Sequence, residues 1–174
     1  LPVQSGSSRM LQLMNRTYTR EWYMAKIDRI RALLPTCSIT SDIIAGFCTE
    51  TEEQHQDTVD LVKSVRYDYA YMFFYSERPK TLAERKYEDD VPAEVKSRRL
   101  TEIIDTQLKN SLATNKTQIG QIQEVLVESL SKRSDQDFTG RNPFNTKVVF
   151  PKGNYKKGDY AMVKIVDCTS ATLI

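Results

Sequence analysis

The sequence predicts an α/β chain in two parts: βα units around a parallel sheet or barrel over residues 1–120, and a small all-β barrel over 121–174. Three observations predict it. Between residues 38 and 112, short runs rich in β-branched or aromatic residues alternate with longer stretches of helical periodicity. A polar loop with capping residues stands between each run and the helix after it. Past Gly120 the helical period stops, and only short runs remain between turns rich in Gly, Asn, Asp and Pro.

The elements follow in order. LPV at the start reads as the end of a strand, closed by the polar turn QSGSS. Residues 20–34 read as a helix capped by Thr19, with Tyr23, Ile27, Ile30 and Leu34 on one stripe and Pro35 ending it. SITSDIIAGF (38–47) reads as a buried parallel strand. TETEEQ then offers two overlapping capping boxes, Thr49 with Glu52 and Thr51 with Gln54, ahead of a helix carrying Val59, Val62 and Val65. DYAYMFFYS (68–76) is an aromatic strand whose alternation of Tyr69, Tyr71 and Phe73 reads as core packing. ERPKT is a loop, and Pro92 opens a long helix with Leu100, Ile103, Ile104, Leu108 and Leu112 on one face. In the last part, EVLVES, TKVVF and YAMVKIV read as strands. SDQDFTGRNPFN and PKGNYKKGD read as the turns between them.

Composition narrows the function classes. The chain has 174 residues, 28% charged and 40% apolar, as in a domain with a core of its own. No run approaches the ~20 apolar residues of a membrane span, so a cytoplasmic protein without membrane contact is expected. Cys37, Cys48 and Cys168 are too scattered for a disulfide framework or a metal site, so no metal ligand is expected in this chain. His55, the only histidine, reads as a helix-surface residue. Net charge is +2, and residues 121–174 hold eight basic and six acidic side chains, so any basic face must come from clustering.

In parallel βα architectures, chemistry sits where the strands end. Three segments qualify. Gln4, Ser5 and Ser7 offer an amide and hydroxyls for a polar ligand, or a strand-to-helix turn with its caps. Asp42 lies mid-strand and needs a buried partner or an open lumen. Gly46 gives room for a ligand against the backbone, and Glu50 contacts ligand or favours the helix start. Tyr75, Ser76 and Arg78 end the aromatic strand; Arg78 suits phosphate or carboxylate, or a surface ion pair. In the last part, Lys132, Arg133, Arg141, Asn142, Lys147, Lys156 and Lys157 stand in or beside turns. That is a pattern for phosphate-backbone binding, or for solubility alone. No nucleophile and base pair stands out.

The motifs LPVQSGS, RMLQLMNRTYTREWY, SDIIAGFCTETEEQ, YSERPKT and the VPAEVKSRRL helix, followed by EVLVES through ATL, resemble those of the radical SAM tRNA methylthiotransferases, in the isopentenyladenosine branch. The likeness runs over essentially the whole chain. It implies the C-terminal half of a radical SAM partial TIM barrel followed by an RNA-binding TRAM barrel. It implies an enzyme that adds a methylthio group to C2 of N6-isopentenyladenosine next to the tRNA anticodon, with S-adenosylmethionine and two [4Fe-4S] clusters. The cysteines that hold those clusters are not in this sequence, so the chain is expected to be a fragment beginning where the fourth barrel strand ends, inactive alone. Its exposed strand edges are expected to favour self-association. The resemblance puts Gln4, Ser5, Asp42, Gly46, Tyr75 and Ser76 around cofactor and substrate. It also marks two departures from the usual motifs: Cys48 where proline is common, and Lys80 where glycine is common. Sister enzymes acting on threonylcarbamoyladenosine or a ribosomal protein, and a stand-alone RNA-binding module, are the alternatives.

Overall fold

The structure is a computed structural model that describes residues 1–174, and it divides into two compact units, Leu1–Gln107 and Leu108–Ile174. The division falls inside a long helix, ahead of the change in pattern at Gly120. No helix is long and apolar enough to cross a membrane.

The first unit is built from α1 (Ser8–Leu13), α2 (Arg20–Leu33), β1 (Thr40–Ala45), α3 (Glu52–Val65), β2 (Tyr69–Phe74), α4 (Leu82–Lys86) and the first part of α5 (Ala93–Lys116). β1 and β2 pair in parallel, from Thr40↔Tyr69 to Ala45↔Phe74. The LPVQ segment continues this sheet: the Gln4 N–H donates to the Asp42 carbonyl and the Ile44 N–H to the Gln4 carbonyl, in a parallel bridge. The opening residues thus lie along β1 and join it through Gln4.

Local chemistry fixes each boundary. The Thr19 hydroxyl caps α2 by accepting from Trp22 N–H, and Tyr23 and Ile27 are its buried stripe. Leu34 is not on that stripe. It lies past the last helical turn, 58% exposed. Of the two candidate capping boxes, Thr51 with Gln54 forms, in both directions. Thr49 is instead held at φ 65°, its N–H donated to Asp90. The core gathers Val3, Tyr23, Ile27, Ile43, Val59, Val62, Tyr67, Ala70 and Ile103.

The aromatic strand departs from expectation. Tyr69, Tyr71 and Phe73 share the exposed face of β2 and are each more than half exposed, whereas Tyr75 is buried. Ala70 and Met72, between the aromatics, meet the core. Period-2 alternation identified the two faces, but the larger side chains lie on the open one.

The second unit holds the end of α5 and β3 (Ile122–Ser131), β4 (Ser134–Arg141), β5 (Lys147–Pro151) and β6 (Tyr160–Lys164), antiparallel in the order β5-β4-β3-β6. Leu173 bridges both Val148 and Cys168, drawing the chain end onto β5. The core is Val125, Val127, Phe138, Val148, Phe150, Ala161, Ile165 and Leu173. β4 occupies SDQDFTGR, which composition reads as a turn. Phe138, Thr139 and Gly140 are buried there, and a Cβ on Gly140 would stand 2.2 Å from the Leu126 carbonyl oxygen, so glycine is what lets β3 and β4 pair.

Candidate functional site

At the ends of the parallel strands the first unit opens a cleft of two adjoining hollows, about 330 Å³ and about 660 Å³. Both are lined by Gln4, Arg16, Ile44, Tyr75, Thr81 and Ala83. Ser76 and Arg78 extend the larger, and Leu13, Met14 and Phe47 the smaller. Each of the three strand-end segments therefore contributes, through Gln4, Ile44 and Phe47, and Tyr75 with Ser76 and Arg78. The floor is apolar: Met10, Phe47, Cys48 and Tyr75 are buried together, with the Phe47 and Tyr75 rings edge to face at 4.8 Å.

Backbone strain gathers at this end. Gln4 has φ 71° and Gly46 φ 69°, and Thr49 is a β-branched residue in the same left-handed region. The Gln4 backbone is pinned on both sides by β1, and the residue is 7% exposed while lining both hollows. The Tyr75 hydroxyl is buried with no hydrogen-bond partner. Burial, followed by the neighbouring Cys48 thiol, pushes its pKa up to about 12, so it stays a protonated donor. Burial likewise pushes the Cys48 thiol up, which disfavours a thiolate there.

The other expected site residues of this unit do not line the two hollows. The Ser5 hydroxyl contacts the Thr58 hydroxyl at 3.2 Å and accepts from Ser7 N–H, turning toward α3. Ser7 is buried as the N-cap residue of α1. Asp42 sits on the open face of β1 beside Tyr71 and does not line the cleft. The side of Gly46 where a Cβ would stand is filled by Lys96, whose Cγ would lie 2.5 Å from it. Glu50 neither caps α3 nor faces the cleft. Its carboxylate accepts from Gly46 N–H at 2.7 Å and from Arg99 at 3.0 Å, 1% exposed. Burial raises its pKa, against the pull of those two donors.

Sequence reasoning missed Arg16, Asn15 and the Thr81–Ala83 start of α4 as cleft walls, and Lys96 and Arg99 as supports. Arg16 lies in the MNRTYTREW run, in the loop between α1 and α2 ahead of the Thr19 cap, and that position was the available signal. Lys96 donates to both Asp89 oxygens and lies 5.3 Å over the Tyr75 ring, steadying the wall from behind. His55 is not on the surface. It is 1% exposed, with Nε2 bonded to Glu102 at 2.9 Å. Glu52, His55 and Glu102 bring ligand atoms within 4.8 Å of one another, but Arg98 and Arg99 already hold Glu52, so the cluster is an ion-pair network. No cysteine joins any such group.

In the second unit Lys132 and Arg133 form the β3–β4 turn, and Lys156 and Lys157 the loop before β6, all exposed. Arg141 and Lys147 are exposed register partners across β4 and β5. Asn142 does not belong with them as a surface contact: it is 5% exposed, enclosed by Gln118 and Gln123.

Residues 116–174 match the model of the TRAM domain. Over its full length the chain is 58% identical to the tRNA-2-methylthio-N(6)-dimethylallyladenosine synthase of Amoebophilus asiaticus. It is 57% identical to that of Christiangramia forsetii, again over its full length, and in each case covers 36% of the relative. The chain thus spans about a third of the length of the curated relatives it matches. Among solved structures it is similar to the coproporphyrinogen III oxidase of Escherichia coli, described as a radical SAM enzyme. The TM-score is 0.54 and the identity 20%, over 80% of this chain and 37% of that one. That likeness shows the fold: part of a radical SAM barrel, followed here by TRAM.

Proposed function

We propose that this chain, similar throughout to the tRNA-2-methylthio-N(6)-dimethylallyladenosine synthases, is the substrate-side part of a radical SAM tRNA methylthiotransferase. The enzyme it serves adds a methylthio group to C2 of N6-isopentenyladenosine beside the anticodon, in the cytoplasm. The observation that carries this reading is likeness over the full chain at 58% identity, spanning both the strand-end cleft and the TRAM match.

The cleft's donor set fits an adenosyl amino acid. Phe47, Ile44 and the Tyr75 ring give an apolar floor, the Gln4 amide gives hydrogen bonds, and the Arg16 and Arg78 guanidiniums give sites for a carboxylate or a phosphate. S-adenosylmethionine, with its cluster, supplies the radical chemistry when bound. Gln4 and Arg16 orient it, while Phe47 and Tyr75 exclude water from beneath. Iron-sulfur clusters do not fit the cysteines present: Cys48 is buried with a raised pKa and Cys37 is exposed, so the ligands of both [4Fe-4S] clusters belong to the rest of the enzyme. In the TRAM domain, Lys132, Arg133, Arg141, Lys147, Lys156 and Lys157 contact the phosphates of the anticodon stem-loop.

Mass spectrometry of tRNA nucleosides from cells with and without the whole gene tests the reading. Loss of the 2-methylthio group from isopentenyladenosine is the expected result. Loss from threonylcarbamoyladenosine instead, or from a ribosomal protein, would move the enzyme to a sister branch. No loss anywhere would leave a binding module.

A further inference from the structure

We propose that Asn142, with Gln118 and Gln123, is a positioning residue for RNA binding: a buried neutral amide hub that sets Arg141 and Lys147 side by side as a two-pronged phosphate clamp. The proposal rests on the RNA-binding reading of the TRAM domain and says which of its cations act together, and through what.

The Asn142 carboxamide uses its full hydrogen-bonding capacity. Its Nδ2 donates to Gln123 Oε1 at 2.7 Å and to Gln118 Oε1 at 3.4 Å, and its Oδ1 accepts from the N–H groups of Phe144 at 3.1 Å and Thr146 at 2.8 Å. Gln123 donates back to Gln118 at 2.8 Å, and Asn115 ties the end of α5 to the Thr169 carbonyl at 2.9 Å. Asn115, Gln118, Gln123 and Asn142 are each at least 92% buried, and the bonds among the Gln118, Gln123 and Asn142 side chains lie out of water.

The hub governs the β4–β5 turn. Asn142 N–H donates to the Thr146 carbonyl, Asn145 N–H donates to the Asn142 carbonyl, and Asn145 is at φ 61°. The ends of this turn, Arg141 and Lys147, lie directly opposite each other in register, on one face. Like charges directly opposite across a strand pair are destabilising. Arg141 spends one nitrogen on the Asn145 carbonyl at 2.8 Å and approaches Glu128 at 3.5 Å, but both residues of that ion pair are about half exposed and Lys147 has no anion. A turn that holds two cations together, and fastens them to a core network, fits a bridging phosphate of a nucleic-acid backbone. The neutral hub orders the turn without a negative charge that would cancel the clamp.

The test measures binding of a synthetic anticodon stem-loop RNA to the full chain over a range of salt, for the wild type, Asn142→Ala, the pair Arg141→Gln with Lys147→Gln, and the triple variant. Asn142→Ala is expected to weaken binding about fivefold to tenfold. It should also lower the slope of log K against log salt by about one to two, as loss of one or two phosphate contacts does. The triple variant should bind no more weakly than the Arg141, Lys147 pair, because the hub acts through those two side chains. Gln123→Met, close in volume but unable to accept from Asn142, guards against a variant that fails to fold and should show the same slope change. An unchanged slope in both hub variants, or effects that add in the triple variant, overturns the proposal while leaving RNA binding intact. No salt-sensitive binding by the wild type overturns the RNA reading and the proposal with it.

Discussion

In the unit 1–107 the buried polar groups are ions in pairs, Glu50 with Arg99 and Lys96 with Asp89; in the unit 108–174 they are neutral amides, Asn115 through Gln118 and Gln123 to Asn142. Both networks hold a loop in a fixed shape, but with different consequences. The ion pairs clamp the segments after β1 and before α5 behind an apolar cleft, where charge is balanced locally and the Tyr75 ring is kept against Phe47. The amide chain adds no charge, so the charge beside the β4–β5 turn is that of Arg141, Lys147 and Glu128. On the proposed reading, the first unit would enclose a small molecule and the second would meet a polyanion.

The largest expected effect breaks the ion-pair side. Arg99→Ala leaves Glu50 buried without its partner and should destabilise the first unit by about 3–5 kcal/mol. Hydrogen exchange of β1 and α3 should rise while β3 to β5 keep their protection; equal loss in both units would show that they are not separate. Gly140→Ala is the counterpart in the second unit. The added Cβ meets backbone at Leu126, and a cost of about 1–3 kcal/mol or more is expected, read as faster exchange confined to β3 and β4.

A smaller effect sits at Lys80, which holds φ 69° where an L side chain is strained. Lys80→Gly, which keeps the backbone N–H that donates to Glu84, should stabilise by about 0.5–1 kcal/mol in a denaturant melt, and a loss instead would show that the freedom glycine adds to the unfolded chain outweighs the relieved strain. The smallest is a pH effect. Hydrogen bonds from Arg98 and then Arg99 lower the Glu52 pKa to about 2, so its contribution is present above the ordinary carboxylate value and is lost as pH falls from about 4.5 toward 2. Glu52 is 59% exposed, which limits that contribution to under about 1 kcal/mol. Glu52→Gln should flatten this part of the acid melt of the first unit.

Much of this arrangement is legible in sequence because it is local. The Thr19 and Thr51 caps, the parallel strands and the LPVQ strand end follow from residue type and period. Gln4, Tyr75, Ser76 and Arg78 reach the cleft because strand ends converge in any parallel sheet. What period cannot supply is the partner of a buried polar side chain. Glu50 meets Arg99 across 49 positions, His55 meets Glu102 across 47, and Asn142 meets Gln118 across 24. Nothing in the local pattern of GFCTE or GRN announces those pairings, so Glu50 reads as a cap and Asn142 as a surface contact. β4 was obscured differently: Asp, Ser and Gly favour turns, and the burial of Phe138 and Thr139 overrides that preference.

The most direct measurement is hydrogen exchange on the full chain with S-adenosylmethionine and, separately, with the anticodon stem-loop RNA. The account predicts protection by the first ligand at Gln4, Arg16 and Tyr75 to Ala83, and by the RNA at Arg141 to Lys147 and the 155–158 loop. RNA protection confined to the strand-end cleft, or adenosyl ligand protection in the TRAM domain, would contradict the division of chemistry between the two units.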